Sequence, residues 1–103
     1  MNSDGTATEF SSRAGIITGS SSGLGRAAAI AFAELGASLV LADIDEEAGE
    51  ETAELVRSVG GQALFLTTDV TNPEQVGAMV SGCVAAFGSL DFAVNNAGTT
   101  GKG

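Results

Sequence analysis

Four short apolar runs alternate with three helical patterns, and that alternation limits the possible folds of this chain more than any other feature. Ala14 to Thr18 (AGIIT), Ser38 to Ala42 (SLVLA), roughly Ala63 to Thr67, and Leu90 to Val94 (LDFAV) are each bounded by turn residues. Short continuous runs of this kind read as strands buried on both faces, as in a parallel sheet.

The segments between them carry helical spacing. Residues 24–36 place Leu24, Ala27, Ala28, Ala31 and Leu35 on one stripe, and Gly36 stops the helix. Residues 45–59 form an acidic helix whose expected inner face is Ala48, Thr52, Leu55, Val56 and Val59, ended by Gly60 and Gly61. In the third, Asn72 is an N-cap, Pro73 occupies the first helical position and Gln75 can close a capping box. Its expected buried stripe is Val76, Met79, Val80, Cys83 and Phe87.

The order β-α-β-α-β-α-β predicts an α/β fold: a Rossmann-like, doubly wound parallel sheet in three α/β/α layers, of which this is the N-terminal portion. Residues 1–12 are polar and read as a flexible tail, and residues 13–103 as one domain. Ligands of such sheets lie beyond the carboxyl ends of the strands. Every candidate site residue falls there.

Thr18-Gly19-Ser20-Ser21-Ser22-Gly23-Leu24-Gly25-Arg26 follows the first strand. Gly19 allows a sharp exit from the strand, Gly23 leaves room for a diphosphate, and Gly25 lets the helix pack close to the sheet. Free amides at the helix start, with its dipole, would bind the phosphates. The same residues can be read as Gly23-x-Gly25-x-x-Ala28, but that fingerprint wants its first glycine at the strand end, where Gly19 stands. A P-loop needs Gly-Lys-Ser/Thr, and Gly25 is followed by Arg26 and Ala27. Ser20, Ser21 and Ser22 read as hydrogen-bonding hydroxyls rather than nucleophiles or phosphorylation sites.

Asp43 follows Gly25 by eighteen positions and lies just beyond the second strand, close to the spacing of a carboxylate that accepts from adenosine ribose hydroxyls. It would repel a 2′-phosphate by several kcal/mol at about 4 Å, even with an effective dielectric near 20. The adjoining Ser22 and Ile44 supply no cation to offset this, which selects NAD over NADP. The competing reading, that Asp43 caps the next helix, is met equally well by Asp45. Glu46, Glu47, Glu50, Glu51 and Glu54 read as a solvated helix face.

Composition removes other classes. Thirteen acidic residues against four basic ones give a net charge of −9, which disfavours nucleic acid and anionic membrane partners. With no His, no Tyr, no Trp and one Cys, the chain can build neither a Ser-His-Asp triad nor a histidine-ligated or cysteine-rich metal site. A lone Cys83, with no secretory signal and no membrane-length apolar run, predicts a soluble cytoplasmic protein.

In its motifs the chain resembles the short-chain dehydrogenase/reductase family. Thr18-Gly19-x-x-x-Gly23-x-Gly25 is similar to that family's cofactor motif, with Asp43 in the place of its NAD-selecting acid. Asp69-Val70 resembles the pair lining the adenine pocket, and Asn95-Asn96-Ala97-Gly98 the motif after the fourth strand. The resemblance implies diphosphate contacts from Gly19, Ser21, Ser22 and Leu24, with Gly23 and Gly25 completing the cofactor-binding turn. It implies ribose contacts from Asp43 and Ile44, adenine contacts from Asp69 and Val70, and central contacts from Asn96, Ala97 and Gly98. Asn95 would brace neighbouring backbone.

The family's catalytic Tyr-x-x-x-Lys, and the Ser and Asn that assist it, have no counterpart here: there is no Tyr, and Lys102 is the only Lys. The resemblance therefore implies an NAD-dependent oxidoreductase, passing hydride between an alcohol or carbonyl substrate and nicotinamide, and a homo-oligomer when complete. These 103 residues are the cofactor-binding part and are expected to be inactive alone. A non-catalytic NAD-binding or regulatory module is the alternative. A methyltransferase using S-adenosylmethionine would also place an acid after the second strand, but not Asn95-Asn96-Ala97-Gly98 after the fourth.

Overall fold

Parallel strands buried on both faces can dispense with polar residues, and the first two strands carry them only at their ends, as Thr18, Ser38 and Asp43. A computed structural model of the chain describes residues 10–21 and 23–96. In it β1 (Ala14–Thr18) is buried throughout, and β2 (Ser38–Asp43) is buried from Leu39 to Ala42. β1 runs parallel to β2 in the register Ala14↔Ser38 to Thr18↔Ala42. Its other side pairs with β4 (Phe92–Asn95), and β2 pairs with β3 (Gln62–Thr67), so the sheet order is β3-β2-β1-β4.

Alternate strand residues feed two cores. Ile17, Leu39 and Leu41 meet Ala29 and Ala33 of α1 (Gly23–Glu34) and Ala53 and Val56 of α2 (Glu46–Ser58). On the opposite face Ala14, Ile16, Val40 and Ala42 meet Met79 and Cys83 of α3 (Pro73–Phe87). This is the three-layer Rossmann-like arrangement expected from the alternation.

The helix faces differ in detail from those expected. α1 buries Gly25, Ala29 and Ala33, with Ala28 and Phe32 at the margin, while Leu24 stands in solvent. Its sequence is apolar nearly all round, so periodicity does not choose a face; close packing at Gly25 does, because a Cβ there would run into the Gly19 carbonyl. α2 turns Gly49, Thr52, Ala53 and Val56 inward and leaves Leu55 and Val59 exposed, since the Phe65 ring lies against bare Gly49. In α3 Val80 is exposed, whereas Val76 and Phe87 pack against Met79 and Cys83.

Caps follow the side-chain chemistry. Asp45, not Asp43, caps α2, its Oδ1 accepting from the Ala48 amide at 3.1 Å. Asn72 caps α3 through the amides of Glu74 and Gln75. Gln75 closes no box with Asn72; its Oε1 accepts from the Asp69 amide at 2.7 Å, bracing the turn after β3. The end of the sequence-assigned tail is packed: the Phe10 ring meets Phe32 and Phe92 edge-on, and its amide donates to Leu35 O. Among the described residues no helix is long and apolar enough to cross a membrane.

Candidate nucleotide-binding site

All four strand carboxyl ends open on one side of the sheet. At the first, Gly19 leaves β1 with φ 67°, and its amide donates to Ala42 O at 2.9 Å, so the turn hangs from the end of β2. Buried Ser20 follows it. Gly23 opens α1 with φ 59°, and a Cβ there would meet nothing within 4 Å: the space above the turn is clear. α1 has no acidic residue in its first turn, whereas α2 begins with Glu46 and Glu47 and α3 with Glu74. The positive end of α1 is thus left uncompensated, which suits an anion.

Ser21 joins this turn to the second strand end. Its amide donates to Asp43 Oδ2 at 3.1 Å, and its hydroxyl donates to Asp45 O at 3.3 Å. The Asp45 amide donates to Asp43 Oδ1 at 3.2 Å, so both carboxylate oxygens are held. Burial pushes the Asp43 carboxyl up, but the nearby Ser21 hydroxyl and the amides of Ser21, Asp45 and Ile44 outweigh it and hold the group below its ordinary value. It is an anion at neutral pH. Arg26 is engaged with Glu51 and Ala48 O of α2, Arg57 with Glu54 of its own helix and with Ala63 O, and the Arg13 guanidinium lies 5.9 Å from the Phe10 ring centroid.

Two apolar side chains flank this carboxylate and turn. Leu24 is 78% exposed and Ile44 70% exposed, against 36–46% for the other exposed large hydrophobic residues described. Their exposure leaves apolar surface on either side of the turn and the acid. A nucleotide lying between α1 and the end of β2 would cover both, so the residues present fit the group.

The third and fourth strand ends are braced internally. Thr68 donates from its amide to Asp43 O at 2.8 Å, tying β3 to β2. Asp69 accepts from the Thr71 hydroxyl and amide, which hold its carboxyl below the ordinary value, and Val70 beside it is half-buried. Thr18 Oγ1 donates to Asn95 Oδ1 at 2.9 Å and accepts from the Asn96 amide at 3.0 Å. Asn96 Nδ2 donates to Gly19 O at 3.4 Å, which brings the turn after β4 against the glycine turn. Asn95 thus braces a side chain, not the backbone expected. Ser22, Ala97 and Gly98 lie outside the described residues.

One contact had no clear signal in the sequence. Arg26, in the first turn of α1, reaches Thr52, Ala48 O and Glu51 of α2. Glu51 therefore carries an ion pair, although its side chain stays 68% exposed.

Comparison with known proteins agrees with this geometry. The family model described as short chain dehydrogenase matches residues 13–103. An uncharacterized oxidoreductase of Thermotoga maritima is 48% identical over 90 residues, which are 86% of this chain and 35% of that protein. A short chain dehydrogenase/reductase of Burkholderia phymatum in complex with NAD superposes with a TM-score of 0.79 at 41% identity, over 82% of this chain and 30% of the other. A metagenomic short-chain oxidoreductase in complex with NADP gives 0.81 at 33% identity, over 87% and 41%. The chain spans about a third of the length of the relatives it matches. By the residues it shares and the fold they build, it belongs to the short chain dehydrogenase family.

Proposed function

We propose that this chain holds NAD across the carboxyl ends of its strands, as the cofactor-binding part of an oxidoreductase acting on an alcohol or carbonyl. The observation that carries this reading is the Asp43 carboxylate, charged and fixed on both oxygens beside the glycine turn. Its remaining lone pairs accept from the two ribose hydroxyls. A 2′-phosphate would instead meet that negative charge with no unengaged cation among the described residues to offset it.

Gly19, Gly23 and Gly25 keep the turn low enough for the diphosphate, which takes Ser22 and the amides at the start of α1. Ser21 holds the ribose acid in place. Leu24 and Ile44 cover the nucleotide with apolar surface and exclude water from its polar contacts. Asp69 and Val70 border the adenine, and Asn96, Ala97 and Gly98 the centre of the dinucleotide. When bound, nicotinamide supplies or takes up the hydride. No side chain of these 103 residues is assigned the proton transfer. Calorimetric titration of the full chain tests the reading: NAD should bind tighter than NADP, and an absence of heat with either would refute it.

A further inference from the structure

Cofactor choice in this site depends on where the Asp43 carboxylate stands relative to the glycine turn, and two helices carry those two parts. α1 continues directly from the turn, while α2 begins three residues after Asp43. A single side chain spans them. Arg26 Nε donates to Thr52 Oγ1 at 2.8 Å, and Nη2 donates to Ala48 O at 3.1 Å and to Glu51 Oε1 at 3.0 Å. Thr52 is fully buried, so this is a packed contact and not only a surface ion pair.

The same turn of α2 is the one Asp45 caps. The Ala48 amide donates to Asp45 Oδ1 at 3.1 Å, and the Asp45 amide donates in turn to Asp43 Oδ1 at 3.2 Å. Ser21 closes the circuit from the other side through Asp43 Oδ2 and Asp45 O. Arg26 therefore grips the far end of a hydrogen-bonded chain whose near end is the carboxylate.

We propose that Arg26 is a positioning residue for cofactor selection: by clamping α1 to the first turns of α2 it fixes Asp43 at the distance that suits a ribose diol. This rests on Asp43 being the ribose acceptor. The guanidinium itself touches no cofactor.

The test is calorimetric titration of the full chain with NAD and NADP, in the wild type and in Arg26→Met, Arg26→Lys and Thr52→Val. Arg26→Met should weaken NAD about fivefold, the low end of usual couplings between sites, and leave NADP within about twofold. Arg26→Lys, with a point charge in place of a planar fork, should recover only part of the preference. Thr52→Val should narrow the preference less than Arg26→Met does, and serves alone if Arg26→Met does not fold.

A role in stability alone would lower the melting temperature and weaken both cofactors in proportion. A role as a nearby positive charge would weaken NADP at least as much as NAD. An NAD/NADP ratio that is unchanged or widened in these variants overturns the proposal while leaving the NAD reading intact. A wild type that shows no preference for NAD overturns that reading, and the Arg26 assignment with it.

Discussion

The Ser21 amide donates to Asp43 Oδ2 at 3.1 Å, across twenty-two residues of sequence, and this one bond fixes the glycine turn to the acid at the end of the second strand. It sets the diphosphate and ribose positions of the proposed site side by side.

Gly25 sits where α1 touches the glycine turn. A Cβ there would collide with the Gly19 carbonyl, a backbone atom that cannot rotate away. Gly25→Ala should therefore cost about 1–3 kcal/mol, as overpacking of a close contact does. NAD binding should weaken as well, because the turn must shift. Urea unfolding and titration on the same protein check both, and an unchanged midpoint would contradict the close approach.

Thr18 joins the ends of β1 and β4. Thr18→Val keeps the β-branched shape but removes the oxygen that accepts from the Asn96 amide and donates to Asn95 Oδ1. The loss should be about 1–3 kcal/mol, because polar partners in a part-buried place lose their bond. Amide hydrogen exchange at Asn96 should speed up more than at Leu41, in the middle of β2. Equal change at both positions would contradict the local role.

Asp91 fastens the start of β4 to β1. Its Oδ2 accepts from the Ala14 amide at 2.8 Å and from Ser89 Oγ at 2.9 Å. The Ala14 amide first, then the Ser89 hydroxyl and the nearby Arg13 charge, hold its carboxyl below the ordinary value of 3.8. A depressed acid stabilises the fold above its unfolded pKa and loses that contribution as pH falls through its folded one. Asp91→Asn should therefore be less stable than the wild type at neutral pH, and the gap should close in acid below pH 3.8. A gap independent of pH would show that the charge contributes nothing.

The order of elements and the strand-end motifs were legible because strands buried on both faces leave continuous apolar runs, and because the turns between them use glycine, asparagine and aspartate. The helix faces were less so. α1 offers apolar residues on every side, and what turns Gly25, Ala29 and Ala33 inward is a backbone contact between residues 19 and 25. Similarly, Phe65 decides the inner face of α2 from another element, by lying on Gly49. In the site, the position of Asp43 could be read from spacing, but its bond from the Ser21 amide could not, because that bond depends on how the first and second βα turns meet in space. Arg26 was invisible for the same reason: a charged residue in a first helical turn reads as solvated until a second helix is beside it.

If the fixed negative charge on Asp43 accepts the adenosine ribose and turns away a 2′-phosphate, as proposed, the dissociation constants of NAD and NADP for Asp43→Ala in the full chain will show it. NAD should weaken by about tenfold or more, as expected when a charge-assisted hydrogen bond worth roughly 1.5–3 kcal/mol is lost, and NADP should hold or improve. A preference for NAD over NADP that survives Asp43→Ala unchanged would contradict the account.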